Sequence, residues 1–326
     1  HFINAQTGYL CGTSTLKLQK TTNGGLNWVQ VPNLGTTTLY SVYASDTNNI
    51  FLTSTSGNIY FTTNAGVNWT TSNVGTTSTL YDSKWINATT GYLCGSSGCF
   101  RYTTNGGANW QGTNPPTTGT MQRILVSGST IYVGGFDQVN IYSTTDIGTT
   151  WNTIPFAASG QYSTFNIYSM DIVGSTILVG GTYGLMNKST NAGANWVTAT
   201  SHTTVANMVD VYASSGNGRV IAIGSNTGGL DACVYSTNGG TTWSRGTGAV
   251  PNNVLSDLSM RNSTTGYVVG RFGIFWKTTN GGVTWDTSRS SNSALTPYFC
   301  NGVDFVDDNT GWVTGGVSGP GGNTKI

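Results

Sequence analysis

The chain has 326 residues, 37% of them hydrophobic and only 8% charged, whereas about 25% of residues are charged in an average soluble domain. Thirteen Lys and Arg oppose twelve acidic residues, all of them Asp, so the net charge is +1. This balance argues against nucleic-acid binding, and the sequence has neither a run of like charge nor an apolar run of about 18 residues, so we expect no membrane insertion. Abundant Gly, Thr, Ser and Asn with few helix formers predict an all-β protein.

An octapeptide recurs seven times, first as Thr-Thr-Asn-Gly-Gly-Leu-Asn-Trp at residues 21–28. Gly and Asn tolerate left-handed backbone, and an Asn or Asp side chain can accept hydrogen bonds from nearby backbone amides. Each copy therefore predicts a structural hairpin turn that ends in a Trp packed against the sheet. The Asn or Asp and the Trp of the seven copies are Asn23 and Trp28, Asn64 and Trp69, Asn105 and Trp110, Asp146 and Trp151, Asn191 and Trp196, Asn238 and Trp243, and Asn280 and Trp285.

A second motif, Thr-Gly-Tyr/Trp-x-x-Gly, lies between these turns at residues 7–12, 90–95, 265–270 and 310–315, and looser copies bring the total to eight. A short segment rich in β-branched and aromatic residues precedes it, and another follows. The repeat therefore predicts four strands: strand a (for example residues 40–44), strand b at the second motif, strand c (residues 58–62) and strand d, which begins at the Trp.

Four antiparallel strands in about 40–45 residues is the period of a propeller blade. Eight strand-b motifs predict one closed β-propeller of eight four-stranded blades, with the last strand d supplied from outside the given chain. Seven blades is the alternative. The predicted repeat units of this single domain, residues 1–326, are approximately 1–35, 36–76, 77–117, 118–160, 161–203, 204–250, 251–292 and 293–326.

The octapeptide resembles the Asp-box, or BNR-type, repeat. Together with the Thr-Gly-Tyr/Trp-x-x-Gly motif it is similar to the pattern of photosystem II stability/assembly factor-like repeat proteins, over essentially the whole chain. This resemblance implies a propeller with a non-catalytic binding role. It also implies a secreted or cell-surface protein, since members outside photosynthetic organisms are of that type. The photosynthetic members of the family that this chain resembles bind through a basic patch. The seven Arg of this chain are scattered along the sequence and do not reproduce that feature.

Catalytic chemistry finds little support in the sequence. Asp-box propellers include sialidases, whose site needs a Glu-activated Tyr, and this chain has no Glu. A glycosidase that uses two Asp is the remaining enzyme alternative. Two His and no Cys-x-x-Cys spacing predict no metal site, and we expect no cofactor. Four acidic residues of strand a, namely Asp82, Asp171, Asp210 and Asp257, are expected at one repeated position, either as a cation-binding lining or as acceptors for the backbone of a neighbouring strand.

Two further groups of residues are singled out. Cys94 and Cys99 flank a Gly-Ser-Ser-Gly turn and are either a disulfide or two small buried side chains. The d-to-a and b-to-c loops vary between repeats and offer candidate binding residues. The function we expect is a secreted or surface scaffold that binds a protein partner or other extracellular components, with carbohydrate binding as the alternative. The loop candidates are Phe156, Tyr162, Phe165, Asp231, Arg289 and Tyr298.

Overall fold

The structure is a computed structural model that describes residues 1–12, 17–24, 27–35, 37–136, 140–155, 166–198, 207–215, 217–225, 233–248, 254–288, 298–305, 307–308 and 310–317. The chain divides into two compact units, His1–Pro155 and Phe156–Ile326. None of the helices in these ranges has the length and apolar character needed to cross a membrane.

The described part of the first unit forms four antiparallel sheets in chain order. Their strands are β1 (Gly8–Cys11), β2 (Leu18–Thr21) and β3 (Val29–Gln30) in sheet 1; β4 (Leu39–Ala44), β5 (Ile50–Ser54), β6 (Asn58–Thr62) and β7 (Thr70–Asn73) in sheet 2; β8 (Leu80–Trp85), β9 (Gly91–Gly95) and β10 (Phe100–Thr103) in sheet 3; and β11 (Thr120–Ser127), β12 (Thr130–Phe136), β13 (Asn140–Thr144) and β14 (Asn152–Pro155) in sheet 4.

The described part of the second unit also forms four antiparallel sheets. Their strands are β15 (Ile167–Val173), β16 (Thr176–Gly181), β17 (Met186–Ser189) and β18 (Val197–Thr198) in sheet 5; β19 (Asn207–Ala213), β20 (Val220–Ser225), β21 (Cys233–Ser236) and β22 (Ser244–Arg245) in sheet 6; β23 (Leu255–Met260), β24 (Gly266–Gly270) and β25 (Phe275–Thr278) in sheet 7; and β26 (Tyr298–Phe305) and β27 (Gly311–Val317) in sheet 8. Single 3-10 turns, Thr182–Gly184 and Arg271–Gly273, follow β16 and β24.

The all-β class is confirmed, and sheets 2, 4, 5 and 6 have the antiparallel a-b-c-d order. Among the described residues, sheets 1, 3 and 7 have three strands and sheet 8 has two. Strand c of sheet 2 covers the residues expected for it, Asn58–Thr62, and strand a begins one residue earlier than expected, at Leu39. Strand d begins after the octapeptide Trp rather than at it, since β7 starts at Thr70. Closure into a single ring, the number of blades and the boundaries of the repeat units stay predictions.

Apolar clusters join consecutive sheets within each unit. In the first unit they lie between sheets 1 and 2, 2 and 3, and 3 and 4; in the second they lie between sheets 5 and 6, 6 and 7, and 7 and 8. The cluster between sheets 1 and 2, for example, packs Tyr9 and Leu18 against Leu39 and Leu52. Each small sheet thus buries at least one face against a neighbouring sheet of its own unit, as stacked repeats must.

Strand a has the same irregularity in sheets 2 to 8. Its pairing with strand b shifts register near its start, as in a β-bulge, so that one extra residue on strand a has no counterpart. These extra residues are Tyr40, Tyr81, Gln122, Tyr168, Val209, Ser256 and Asn301.

The two glycines of the second motif have steric roles that depend on strand a. The first, Gly91, pairs with Trp85, whose ring lies where a Cβ on Gly91 would be. The second, Gly95, lies opposite the bulge, and a Cβ there would overlap the carbonyl of Thr79. Neither position has room for a side chain, because atoms of strand a or of the residue before it fill the space. The two glycines of the motif therefore allow strands a and b to approach closely.

Candidate functional site

The octapeptide turns are held by one repeated hydrogen-bond pattern. In the third turn, the buried Thr103 hydroxyl donates to Asn105 Oδ1 (2.9 Å) and accepts the Gly107 N–H (3.0 Å), while Asn105 Oδ1 accepts the Asn109 N–H (3.0 Å). Equivalent bonds to the Asn or Asp recur in all seven turns, and Asp146 plays the same part as the six Asn. The polar groups of these turns are therefore engaged with the turn itself.

The octapeptide Trp side chains pack against the sheets. Trp28, Trp243 and Trp285 are buried, and the other four are half-buried. Trp69 Nε1 donates to the carbonyl of Pro32 (3.2 Å), which belongs to the preceding repeat, and Trp151 Nε1 donates to the carbonyl of Thr113 (2.7 Å). These rings thus contribute to packing between repeats.

The acidic residues of strand a bind the backbone of the next sheet. Within the first unit, Asp82 Oδ2 accepts the N–H of Ile124 in β11 at 3.2 Å. Within the second unit, the same role is filled by bonds from Ala213 N–H to Asp171 Oδ2 (2.7 Å), from Leu258 N–H to Asp210 Oδ2 (3.2 Å) and from Val303 N–H to Asp257 Oδ2 (2.7 Å). Of the two roles considered for these residues, the structure shows backbone acceptance.

The four Asp do not share one position. Asp82, Asp210 and Asp257 come directly after the bulge, whereas Asp171 pairs with Leu178 two residues further along, and Ser169 takes the position after the bulge in sheet 5. The assumption of one repeated position was wrong for Asp171, because the extra residue of the bulge cannot be located from the sequence.

Asp210 and Asp257 form a hydrogen-bonded carboxyl pair in the second unit. Burial, followed by the nearby charge of Asp210, raises the pKa of Asp257 from 3.8 to about 8. Asp210 Oδ1 also accepts a hydrogen bond from the Ser169 hydroxyl (2.9 Å). Within the described ranges, no three His, Cys, Asp or Glu side chains come together as metal ligands.

The cysteines expected either to pair or to be buried separately are both free thiols. Cys94 packs with Tyr92 and Met121 in the cluster between sheets 3 and 4, whereas Cys99 packs with Leu80 in the cluster between sheets 2 and 3. Burial raises the pKa of both thiols.

Most loop candidates from the sequence, namely Phe156, Tyr162, Phe165, Asp231 and Arg289, lie outside the described residues. Tyr298 is the first residue of β26. Their proposed binding role stays a prediction.

Two aromatic residues that the sequence reasoning missed stand out in the second unit. Tyr183 and Phe272 occupy the turn between strands b and c in sheets 5 and 7, and they are 50% and 71% exposed. Both have left-handed backbone, with φ of 56° and 59°. A bulky residue in this region is a genuine outlier. The detectable signal was the repeated pattern Gly-x-aromatic-Gly at residues 181–184 and 270–273.

The same turn in the first unit carries serine. Ser56 and Ser97 have φ of 58° and 56° and precede a glycine with positive φ, as Tyr183 and Phe272 do. The turn can therefore form without an aromatic residue. The left-handed conformation of the turn therefore does not depend on the aromatic rings found in sheets 5 and 7.

These turns lie at the end of each sheet where strand a begins. In sheet 2, Leu39 at the start of strand a pairs with Ser54 at the end of strand b, directly before the turn. We call this the bulge end of a sheet: the b-to-c turn together with the bulge residue of strand a. At the bulge ends of sheets 2 and 3, Tyr40 (40% exposed) makes an edge-to-face contact with Tyr81 at 5.1 Å between ring centroids.

Repeated antiparallel sheets that pack on one another and share one type of structural turn define a BNR-type propeller protein. A family model described as Photosynthesis system II assembly factor YCF48 matches residues 67–245, more than half of the chain. The chain therefore belongs to this family. A search of the curated proteins finds no match.

Solved structures share the fold at low sequence identity. YCF48 bound to D1 peptide is 16% identical with a TM-score of 0.60, covering 88% of this chain and 91% of that chain. YCF48 from Cyanidioschyzon merolae is 13% identical with a TM-score of 0.61, covering 88% and 95%. An ancestral GH74 enzyme is 16% identical with a TM-score of 0.54, covering 98% of this chain and 52% of that chain.

These findings support a protein-binding propeller of a non-enzymatic family and correct the expected location. The expectation of an extracellular or cell-surface protein was wrong, because the family is that of the photosystem II assembly factor YCF48. Neither a glycan ligand nor an extracellular partner finds support in them.

Proposed function

We propose that the chain is a non-catalytic assembly factor that holds a peptide segment of its protein partner at the bulge ends of its sheets. The observation that carries this proposal is the pair of exposed aromatic rings, Tyr183 and Phe272, on left-handed turns that carry serine in sheets 2 and 3. Strained backbone is retained where a function depends on it, and aromatic residues dominate the energy of protein interfaces.

The turns are well placed to present these rings rigidly. The Thr182 N–H donates to the carbonyl of Asn166 (3.0 Å), and the Tyr183 N–H donates to Asn207 Oδ1 (3.3 Å) in the next sheet. The Arg271 N–H similarly donates to the carbonyl of Val254 (2.9 Å). A ring fixed on an anchored turn loses little conformational entropy when a partner binds.

A peptide is the partner class that the comparisons favour, since YCF48 has been solved bound to D1 peptide. For this chain, we propose a peptide segment of a photosystem subunit as the ligand, with a D1 peptide as the first probe.

The buried acids offer no support for a glycosidase. Such enzymes need two carboxyl groups roughly 5–9.5 Å apart with the sugar between them. Asp210 and Asp257 are hydrogen-bonded to each other instead, and Asp82 is committed to the backbone of β11. The likeness to the GH74 enzyme, at 16% identity, is a likeness of fold alone.

The test is binding of a fluorescently labelled D1 peptide to the intact chain and to the double variant Y183S/F272S. Serine occupies the same turn at Ser56 and Ser97, so the variant should fold. We expect the dissociation constant to rise at least about tenfold, the effect of losing roughly 1.4 kcal/mol of binding energy.

The matched control is Val67→Ser, which removes a side chain that is 62% exposed in an octapeptide turn, at the opposite end of its sheet. It should bind as the parent chain does. Equal affinity of the double variant and the parent, or no binding of the D1 peptide by the parent, would contradict the proposal.

A further inference from the structure

A small cavity lies between sheets 2 and 3 of the first unit. It offers about 10 Å³ to the centre of a water-sized molecule, which is room for one water and no larger ligand. Four of its lining side chains carry a polar atom, namely Thr53, Ser83, Trp85 and Trp110, and the Trp110 Nε1–H already donates to the carbonyl of Gly107 (3.1 Å). The residues that line it are Phe51, Leu52, Thr53, Ile59, Ser83, Trp85, Leu93 and Trp110.

Two buried polar atoms on this lining lack hydrogen-bond partners among the described residues: Thr53 Oγ1 and Trp85 Nε1. Thr53 is 3% exposed and Trp85 7% exposed. The large majority of buried side-chain polar atoms in proteins bond to protein or to ordered water, so two unpartnered atoms on one cavity call for a shared explanation. Packing does not supply a hydrogen bond here, because the Trp85 ring contacts the aromatic rings of Tyr43, Phe51 and Trp110.

We propose that this cavity is a hydration site that holds one ordered water molecule between strand b of sheet 2 and strand a of sheet 3. The indole N–H of Trp85 can only donate, so the water oxygen accepts from it. The Thr53 hydroxyl can donate or accept and forms the second bond. Buried waters make about three hydrogen bonds, and the Ser83 hydroxyl is the third partner.

Ser83 can take this role without losing its existing contact. Its hydroxyl is hydrogen-bonded to that of Ser41 at 2.9 Å, and a hydroxyl has one donor and two acceptor positions. The water would thus extend a polar link that already joins strand a of sheets 2 and 3. This site is separate from the proposed peptide surface, because Thr53, Ser83 and Trp85 lie inside the packed faces of the sheets rather than at exposed turns.

The first experiment is a high-resolution crystal structure of the full chain and of its T53S and T53V variants. We expect a density peak within hydrogen-bond distance of Trp85 Nε1 in the parent chain and in T53S, which keeps the hydroxyl. The peak should be lost or greatly weakened in T53V, in which the cavity keeps its size but loses a polar partner. An empty cavity in the parent, a peak unchanged in T53V, or a Trp85 ring turned to bond a protein atom would overturn the proposal.

The second experiment is a double-mutant cycle on denaturant unfolding with T53V, W85F and T53V/W85F. If one water joins the two side chains, each single variant leaves the other group unsatisfied. The double variant should then lower the unfolding midpoint by clearly less than the sum of the two single shifts. Additive shifts would overturn the proposal, and if W85F does not fold, the T53S and T53V crystal structures decide alone.

Discussion

At the scale of single residues, the buried hydroxyl that opens each octapeptide stabilises the turn together with the Asn or Asp that gives the repeat its pattern. We expect Thr103→Val to destabilise the chain by about 1–3 kcal/mol, because the buried Gly107 N–H loses its acceptor. Thr103→Ser is the matched control, since Ser189 and Ser236 hold the same position in other turns. Denaturant unfolding measures both, and equal stability of the two variants would contradict this account.

The Asp210–Asp257 pair predicts an unusual dependence of stability on pH. The pKa of Asp257 is about 8 in the folded chain against an ordinary 3.8, so between these pH values the folded chain holds a proton that the unfolded chain has lost. The free energy of unfolding should therefore fall as the pH rises through this window. Asp257→Asn, which stays neutral and can accept the Val303 N–H, should flatten that slope.

Asp146→Asn provides the control for this prediction. Hydrogen bonds from Thr150 and Thr144 lower the pKa of Asp146 to about 2, which is the opposite shift, so its contribution is present above the unfolded pKa and is lost only as the pH falls towards 2. Asn fills this position in the six other turns. D146N should leave the slope between pH 4 and 8, measured by thermal unfolding, unchanged, whereas a slope that persists in D257N would assign the effect to other groups.

At the scale of the strands, contact between neighbours explains the glycines of the second motif. Gly91→Ala should push the Trp85 ring out of place and cost about 1–3 kcal/mol, the usual effect of overpacking. Gly35→Ala is the control, because a Cβ there would meet nothing within 4 Å and the backbone is not left-handed. Comparable thermal midpoints for the two variants would show that Gly91 is not sterically required.

For the aromatic residue in the turn of sheet 5, we predict that a substitution that stabilises the fold weakens peptide binding. Tyr183→Asn should stabilise the chain by about 1 kcal/mol, because Asn accepts left-handed backbone more readily than Tyr. The same change should weaken peptide binding if the proposed surface is correct. Chemical denaturation alongside peptide titration measures both effects, and Ser97→Asn, at the same turn position, should leave binding and stability nearly unchanged. Loss of stability in Tyr183→Asn would mean that the ring serves the fold instead.

How much the sequence revealed depended on whether a feature is local. The octapeptide turn is encoded within eight residues, so the bond from a backbone amide to Asn105 could be predicted, whereas the part played by the Thr103 hydroxyl was missed. The position of Asp171 could not be predicted, because it depends on a bulge created by pairing with another strand. The cavity at Trp85 likewise forms where two sheets pack together, so no short sequence motif could have predicted it.

At the scale of the whole molecule, low charge is the property that most distinguishes how this chain can bind. Thirteen Lys and Arg and twelve Asp in 326 residues leave a net charge of +1. Long-range electrostatic attraction should therefore add little to peptide binding by a surface made of aromatic turns. Interactions between exposed charges are screened by salt, whereas the burial of aromatic rings is not.

We therefore expect the dissociation constant of the D1 peptide to change by less than about threefold between about 0.05 and about 0.5 M NaCl. Fluorescence anisotropy across a salt series measures this directly. Lys84→Gln, which removes an exposed cation away from the bulge end, is the control and should follow the same curve. A rise in the dissociation constant of more than about tenfold would mean that cations spread over several sheets supply most of the binding energy. The rings of Tyr183 and Phe272 would then contribute only a small part of it.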